Sequence, residues 1–344
     1  MRISKLGRLV ALVCVVLLGA TLAACGSSSA SASTTLTLYN GQHEQTTNQL
    51  VAAFEKQTGI TVKVRNDDED VLANQILAEG SASPADLIYT ENSPALQKLQ
   101  EKGALAPVDA STLSHVPSKF NSPKGDWVGV SARVSVLVYN TDQLPASQVP
   151  TSVMDLADPK WKGKLALAQG ETDFQPIVTS IVKTYGKQAA LTWLKAVKAN
   201  AGSNIYPDNE TLVDQVNKGQ AEIGIINSYY WYRLLDQNGA AGMHSTISYL
   251  APGDAGYVVD VSGAAVLNSS KNKAAAQKFL AFMVSKKGQE IIAHDDSWEY
   301  PIGSGVTTAR QQKPYSELQP APLTISQLGD GATAVALLQE VQLA

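Results

Sequence analysis

The sequence predicts an α/β protein of two lobes that are joined by hinge strands and enclose a ligand cleft. Three observations lead to this fold class. The chain has 344 residues, which is more than one hydrophobic core usually serves. Short alternating segments and amphipathic segments follow one another in two blocks, as in sheets whose strands are joined by helical crossovers. Two longer extended segments, at 128–139 and 257–267, are placed to connect the blocks.

The first block predicts three strands and three helices. Residues 36–39 alternate in polarity as a strand does, and Leu50 and Phe54 have the spacing of one helix face before Gly59, a favoured helix C-terminus. The acidic run at 66–70 is expected to be a solvated cap of the next helix. The predicted strands are 36–39, 60–64 and 86–89, and the predicted helices are 44–57, 71–78 and 94–101.

The second block repeats the alternation after the first extended segment. Its predicted strands are 165–168 and 223–226, and the helices predicted from here onwards are 177–185, 189–199, 211–217 and 271–284. We therefore expect lobe one to comprise 36–132 and 258–305. Lobe two is expected to comprise 134–256 and 306–344, with a C-terminal helix near 332–343 packed against it.

The N-terminus has the features of an exported lipoprotein. Three basic residues precede an apolar run at 9–20, which is too short to span a membrane comfortably. The sequence Leu-Ala-Ala-Cys, ending at Cys25, resembles a bacterial lipobox. We expect 1–24 to be a removed signal peptide, Cys25 to be lipidated and 25–35 to be a flexible tether. The alternative is a plain secretory peptide with a chance cysteine.

Composition excludes several classes of function. The formal charge of −4 would become −7 after loss of the three N-terminal basic residues, so nucleic-acid binding by the whole chain is not expected. Both cysteines lie within the first 25 residues, which leaves the folded body without disulfides, zinc–thiolate sites or cysteine nucleophiles. The chain lacks a Walker loop, a Gly-x-Ser-x-Gly elbow and a His-Glu-x-x-His motif, so an enzyme is not expected.

Polar side chains follow three of the predicted strands. His43 follows the first, Glu91 the third, and Tyr229 and Tyr230 follow the strand at 223–226. Ligands of α/β sheets bind at the carboxyl ends of strands, so these residues can converge on one cleft. Hard cations favour oxygen ligands, and two phenolates with one carboxylate would balance a trivalent ion. A surface histidine and a packing or sugar-stacking role for the tyrosines remain alternatives.

The segments around these residues resemble the ferric-iron-binding proteins of bacterial ABC importers, also called bacterial transferrins. The resemblance extends from about residue 36 to at least 302, and its most specific part is Ile-Asn-Ser-Tyr-Tyr-Trp at 226–231. The other segments that carry it are 38–44, 84–91, 134–140 and 159–164.

This resemblance implies a periplasmic-binding-protein fold that captures Fe3+ for a membrane permease. It implies His43, Glu91, Tyr229 and Tyr230 as the iron ligands. It also implies a monomer on the outer side of the cell membrane, in the periplasm or on the outer face of the plasma membrane.

Some proteins of this type complete the iron site with a bound phosphate or carbonate. The corresponding loop, 169–174, reads Gln-Gly-Glu-Thr-Asp-Phe here, and its carboxylates would repel an anion. We therefore expect weak anion dependence, with water or Asp173 in that place. Helix N-terminal capping is the alternative for Glu171 and Asp173. The residues that could contact an anion or water are Arg133, Glu171, Thr172, Asp173, Asn209 and Asn227.

Two other functions remain open at this point. The same scaffold could bind an organic solute such as a polyamine, thiamine or a sugar, with the aromatic run stacking on it. A secreted hydrolase could use Glu91 and Asp173 as paired carboxylates, provided that their separation allows it.

Overall fold

The structure is a computed structural model that describes residues 34–308 and 311–344. The predicted signal peptide, the predicted lipidation site Cys25 and nearly all of the predicted tether lie outside the described residues. Within the described ranges, the helices are too short or too polar to cross a membrane.

The described residues form a mixed α/β structure, as the sequence predicts. The strands are β1 (Thr35–Asn40), β2 (Thr61–Asn66), β3 (Leu87–Thr90), β4 (Val128–Asn140), β5 (Leu165–Ala168), β6 (Ile205–Tyr206), β7 (Ile223–Asn227), β8 (Ser245–Ser248), β9 (Val259–Val266) and β10 (Tyr300–Pro301). The helices are α1 (Glu44–Thr58), α2 (Glu69–Glu79), α3 (Ser93–Glu101), α4 (Ala110–Leu113), α5 (Phe174–Tyr185), α6 (Lys187–Ala201), α7 (Asn209–Asn217), α8 (Ser228–Asn238), α9 (Lys273–Met283), α10 (Lys286–His294), α11 (Ile325–Leu328) and α12 (Ala332–Glu340).

The strands form a sheet in the order β2-β1-β3-β9-β4-β7-β5-β6, with β8 and β10 also paired to β4. At one end β1 is parallel to β2 and β3, and at the other β5 is parallel to β6 and β7. In the middle β9 is antiparallel to β3 and β4, and β4 is antiparallel to β7. The predicted parallel pairing is therefore present at both ends of the sheet, whereas the two long strands, β4 and β9, pair in antiparallel fashion.

Strand β4 connects the two ends of the sheet. All 13 of its residues are buried, which explains its nearly continuous run of apolar and small side chains. Its first part, 128–134, pairs with β9, and its second part, 135–139, pairs with β7. The predicted lobe limits, 36–132 with 258–305 and 134–256 with 306–344, stay a prediction.

The element boundaries have local causes. Gly59 ends α1 in the left-handed conformation, with φ of 71°, and its N–H binds Glu55 O at 2.8 Å. Helix α5 begins three residues before the predicted start because Pro176 is tolerated in a first helical turn. The sequence also predicts neither β8 nor α10. Gly288 allows α10 to begin close to α9, since a Cβ there would lie 2.3 Å from Phe282 O.

The acidic run before α2 is only partly the solvated cap that the sequence predicts. Asp68 caps the helix by accepting a hydrogen bond from Asp70 N at 2.9 Å. Glu69, however, is buried and accepts hydrogen bonds from the Asn92 backbone and side chain at 2.8 and 3.2 Å. A Cβ at Gly41 would lie 2.6 Å from Glu69 Cβ, so glycine is needed for β1 to end against α2.

Candidate metal-binding site

The sheet brings the predicted site residues together at the carboxyl ends of its parallel strands. His43 lies at the N-cap position of α1 just after β1, and Glu91 directly follows β3. Tyr229 and Tyr230 lie in the first turn of α8, directly after β7. Asp173 follows β5, at the N-cap position of α5. The loops after four strands therefore meet at one place, as expected for an α/β sheet.

The two tyrosine hydroxyl groups face carboxylates. Tyr229 Oη lies 2.7 Å from Glu91 Oε1 and 2.8 Å from Asp173 Oδ2. Tyr230 Oη donates to the same Asp173 Oδ2 at 2.9 Å. The two rings have centroids 4.2 Å apart, and both side chains are buried. The phenol oxygens are thus held beside anionic oxygens and out of water.

His43 directs a ring nitrogen into the same cluster. Its Nε2 is buried and has no hydrogen-bond partner among the described residues. This nitrogen lies 3.6 Å from Glu91 Oε1 and 3.9 Å from Glu299 Oε1. Possible ligand atoms of His43, Glu91 and Glu299 all lie within 4.8 Å of one another, which is a spacing that a metal ion can bridge. A buried, unpaired imidazole nitrogen is a ready metal ligand.

Arg133 supplies the positive charge of the site. Its Nη1 lies 2.7 Å from Glu91 Oε1 and 3.0 Å from Asp173 Oδ1, and its Nη2 pairs with Glu299 Oε1. The guanidinium is almost fully buried, at 2% exposure. One arginine therefore neutralises part of the charge of three carboxylates, and the cluster as a whole still attracts cations.

The surroundings lower the pKa of the Glu91 carboxylate and raise the pKa values of the two phenols. Burial would raise the pKa of Glu91, but the charge of Arg133, with His43 and the Tyr229 hydroxyl, lowers that pKa to about 2. Burial, followed by the charges of Asp173 and Glu91, raises the pKa of Tyr229 well above 10, and burial with Asp173 does the same for Tyr230. The phenols are therefore protonated at neutral pH unless a cation replaces their protons.

Two of the predicted anion contacts, Arg133 and Asp173, reach the cluster directly. Thr172 Oγ1 lies 3.4 Å from Asn92 Nδ2 and does not contact the phenols in the described structure. Glu171, Asp173, Asn209 and Asn227 line part of a cavity of about 10 Å3 beside the cluster, which is room for roughly one water molecule.

The capping alternative for Asp173 is met in position but not in hydrogen bonding. It occupies the N-cap position of α5, yet its carboxylate makes no capping hydrogen bond in the described structure and binds the phenols and Arg133 instead. Glu171 does accept a backbone hydrogen bond at a helix start, but from Asn209 N of α7, at 2.9 Å. Burial and the nearby Asp173 charge raise the pKa of Glu171 to about 9.

Sequence reasoning missed Glu299. It precedes the short strand β10 instead of following a strand, so the strand-end rule does not select it. Its carboxylate is held by Ser131 Oγ, by Ser262 Oγ at 3.0 Å and by Gln42 Nε2 at 3.3 Å. A sequence signal for it is lacking, because the surrounding Trp-Glu-Tyr is also typical of ordinary packing.

Comparisons with known proteins identify the family of the chain. Residues 82–325 match the profile of a family described as bacterial extracellular solute-binding protein. The chain belongs to this family. A relative from Serratia marcescens, named Fe(3+)-binding periplasmic protein, is 38% identical over 330 residues, which is 95% of each chain.

Solved structures of similar proteins share the fold of this solute-binding protein. Iron-bound HitA from Pseudomonas aeruginosa superposes with a TM-score of 0.86 at 41% identity, over 90% of this chain and 100% of that one. A Trichodesmium protein (IdiA, FutA), solved in complex with iron and citrate ligands, gives a TM-score of 0.76 at 30% identity over the same shares. The two-lobed periplasmic-binding-protein fold that the sequence predicts is confirmed.

Proposed function

We propose that the protein captures ferric iron at this cluster and delivers it, as the substrate-binding component of an ABC importer, to a permease in the membrane. The ligands in this proposal are His43, Glu91, Tyr229 and Tyr230. The protein acts as a monomer without catalysing a reaction, anchored on the outer side of the cell membrane through lipidated Cys25.

The observation that carries the proposal is the contact of two buried phenols with carboxylate oxygens beside an imidazole nitrogen that has no hydrogen-bond partner among the described residues. Replacing the phenolic protons by a highly charged cation would turn these hydrogen-bonded oxygens into anionic ligands. The relatives' names point the same way, since the Serratia protein is described as binding Fe(3+) and the HitA structure as iron-bound.

The site also joins segments from both ends of the sheet. Glu91, after β3, meets Tyr229 of α8, and Asp70 of α2 accepts a hydrogen bond from Gln175 Nε2 of α5 at 3.0 Å. These contacts form when the two ends lie close together, which excludes water from the ion. A permease can then distinguish the loaded protein by its closed conformation.

The geometry favours an ion over an organic solute. Tyr229 presents its hydroxyl group, not a free ring face, to the cluster, because Arg133 lies 5.3 Å and Tyr230 4.2 Å from its ring centroid, with His43 at its edge. A hydrolase would need its substrate between Glu91 and Asp173. Tyr229 Oη and Arg133 Nη1 already bridge those two carboxylates.

Visible absorption tests the proposal. A ferric salt supplied as a weak chelate should give the phenolate-to-iron charge-transfer band with wild type, and the double variant Tyr229→Phe, Tyr230→Phe should lose it. Tyr232→Phe is the matched control, because Tyr232 lies in the same helix but stacks on Trp298 at 4.7 Å. Absence of the band in wild type would reject iron binding. A band that survives in the double variant would reject the ligand assignment.

A further inference from the structure

We propose that the cluster contains a second set of ligands, His43, Glu91 and Glu299, which binds a divalent transition-metal ion such as Zn2+ without using the tyrosines. This inference goes beyond the proposed ferric function, because Zn2+ binding can be measured by itself. The two ligand sets share His43 and Glu91. The protein should therefore exchange one kind of ion for the other instead of holding both.

The first argument is the geometry around His43. Its side chain is 10% exposed, and its Nε2 is buried without a hydrogen-bond partner among the described residues. This nitrogen lies 3.6 Å from Glu91 Oε1 and 3.9 Å from Glu299 Oε1, and the three ligand atoms lie within 4.8 Å of one another. Around a tetrahedral Zn2+ with ligands at about 2.0 to 2.1 Å, neighbouring ligand atoms are about 3.4 Å apart. A small inward movement therefore brings the three atoms onto the ion, with water as the fourth ligand.

The second argument is that Glu299 is fixed with one oxygen towards His43. The Glu299 side chain is 1% exposed. Its Oε2 accepts hydrogen bonds from Ser131 Oγ and, at 3.0 Å, from Ser262 Oγ, while its Oε1 faces His43 and pairs with Arg133 Nη2. Each carboxylate oxygen has two lone pairs, so Oε1 can bind an ion and keep its arginine partner. Outer hydrogen bonds of this kind orient the ligating carboxylates of metal sites.

The third argument is charge. The carboxylates of Glu91, Asp173 and Glu299 meet the single guanidinium of Arg133, which leaves a formal charge of −2. A divalent ion balances this charge without a phenolate. A trivalent ion would leave a positive charge in a site that excludes water, and phenolates can neutralise it.

The phenols have hydrogen-bond partners that a divalent ion would leave in place. Tyr229 Oη and Tyr230 Oη lie 2.8 and 2.9 Å from Asp173 Oδ2, and neither is hydrogen-bonded to Glu299 in the described part of the chain. Tyr229 Oη also lies 2.7 Å from Glu91 Oε1, but it keeps its Asp173 contact when that oxygen binds the ion. Binding at the three proposed ligands therefore does not require loss of the phenolic protons.

Calorimetric titration with ZnCl2 tests this inference. The variants are Glu299→Gln and the double variant Tyr229→Phe, Tyr230→Phe. Asp295→Asn is the matched control, because Asp295 is a buried carboxylate of the same segment and binds Ser297 Oγ at 2.6 Å. A second measurement adds ferric citrate to the zinc-loaded wild type and follows both the charge-transfer band and the released Zn2+.

We expect Asp295→Asn and the double tyrosine variant to bind Zn2+ within about threefold of the wild-type affinity. Glu299→Gln should bind Zn2+ at least about 10-fold more weakly, since even the supporting residues of metal sites contribute that much. Ferric citrate should release the Zn2+ as the band appears, because His43 and Glu91 can serve only one ion at a time.

Three results would each overturn the inference. They are wild-type Zn2+ affinity in Glu299→Gln, an affinity lowered about 10-fold or more in the double tyrosine variant, and Zn2+ that stays bound beside the iron. The last two measurements decide the question even when Glu299→Gln does not fold. The proposed ferric function fails separately, when zinc-free wild type gives no band.

Discussion

The aromatic run at the start of α8 has two halves with different environments. Tyr229 and Tyr230 direct their hydroxyl groups at Asp173. Tyr232 instead stacks on Trp298 with ring planes 13° apart, and Trp231 donates its indole N–H to Ser245 O at 3.1 Å. Enrichment in aromatic residues therefore does not identify a site by itself. The number of residues after the end of β7 does identify it, because only the first turn of α8 reaches the carboxyl ends of the strands, where the carboxylates lie.

The largest effect should come from removing the positive charge of Arg133, which pairs with the carboxylate that Tyr229 and Tyr230 contact. Arg133→Met leaves the buried Asp173 and Glu299 and the half-buried Glu91 without their shared partner, and we expect the iron-free protein to lose about 4 kcal/mol of unfolding free energy. Arg233→Met, in helix α8, removes an ion pair with the exposed Glu210 and should cost at most about 1 kcal/mol. Urea unfolding of both variants measures the difference. Equal losses would contradict a special role for the buried arginine.

A smaller loss of unfolding free energy should distinguish the packing role of Tyr232 from the metal-binding role of Tyr230. Tyr232→Ala removes a buried ring that stacks on Trp298, which should cost about 3 kcal/mol of unfolding free energy and leave the iron affinity nearly unchanged. Tyr230→Phe should do the reverse, costing about 1 kcal/mol while weakening iron binding strongly. Thermal unfolding and chelator competition on the same samples measure both quantities. If Tyr232→Ala weakens iron binding as much as Tyr230→Phe does, the two halves are not distinct.

The last effect concerns the response of the iron-free protein to pH. The pKa of Glu91 is about 2, below its ordinary value of 4.5, so ionised Glu91 stabilises the fold above about pH 4.5 and this stability is lost as the pH falls towards 2. The pKa of Glu171 is about 9, so its stabilising contribution is present below about pH 4.5 and is lost as the pH rises towards 9.

Unfolding free energies of wild type, Glu91→Gln and Glu171→Gln between pH 3 and 9 measure these opposite slopes. Relative to Glu91→Gln, wild type should gain about 2 kcal/mol on raising the pH from 3 to 6. Relative to Glu171→Gln, it should lose stability between pH 5 and 9. Parallel curves for all three proteins would show that the two carboxylates do not differ in environment. Tyr232→Phe serves as the control and should follow wild type throughout.

The sequence predicts most of the elements and the position of the cluster, because both depend on local patterns. Strand alternation, the cap at Gly59 and the polar residues after strands are local signals. The direction of β4 and β9 cannot be predicted from local signals, because it depends on pairing between distant segments. Glu299 and the orientation of Asp173 escape prediction for the same reason, because Arg133, Asn92 and the phenols that fix these carboxylates come from other parts of the chain.

The place of Arg133 on β4 has a mechanical consequence. The strand pairs with β9 up to Val134 and with β7 from Ser135 onwards, so Arg133 lies beside the point where the backbone passes from one end of the sheet to the other. In a rotation about that point, the residues nearest the axis move least and those on the outer loops move most. The guanidinium would then stay almost stationary while Glu91 and Asp173 separate. Both carboxylates would return to the same guanidinium when the two ends of the sheet close again.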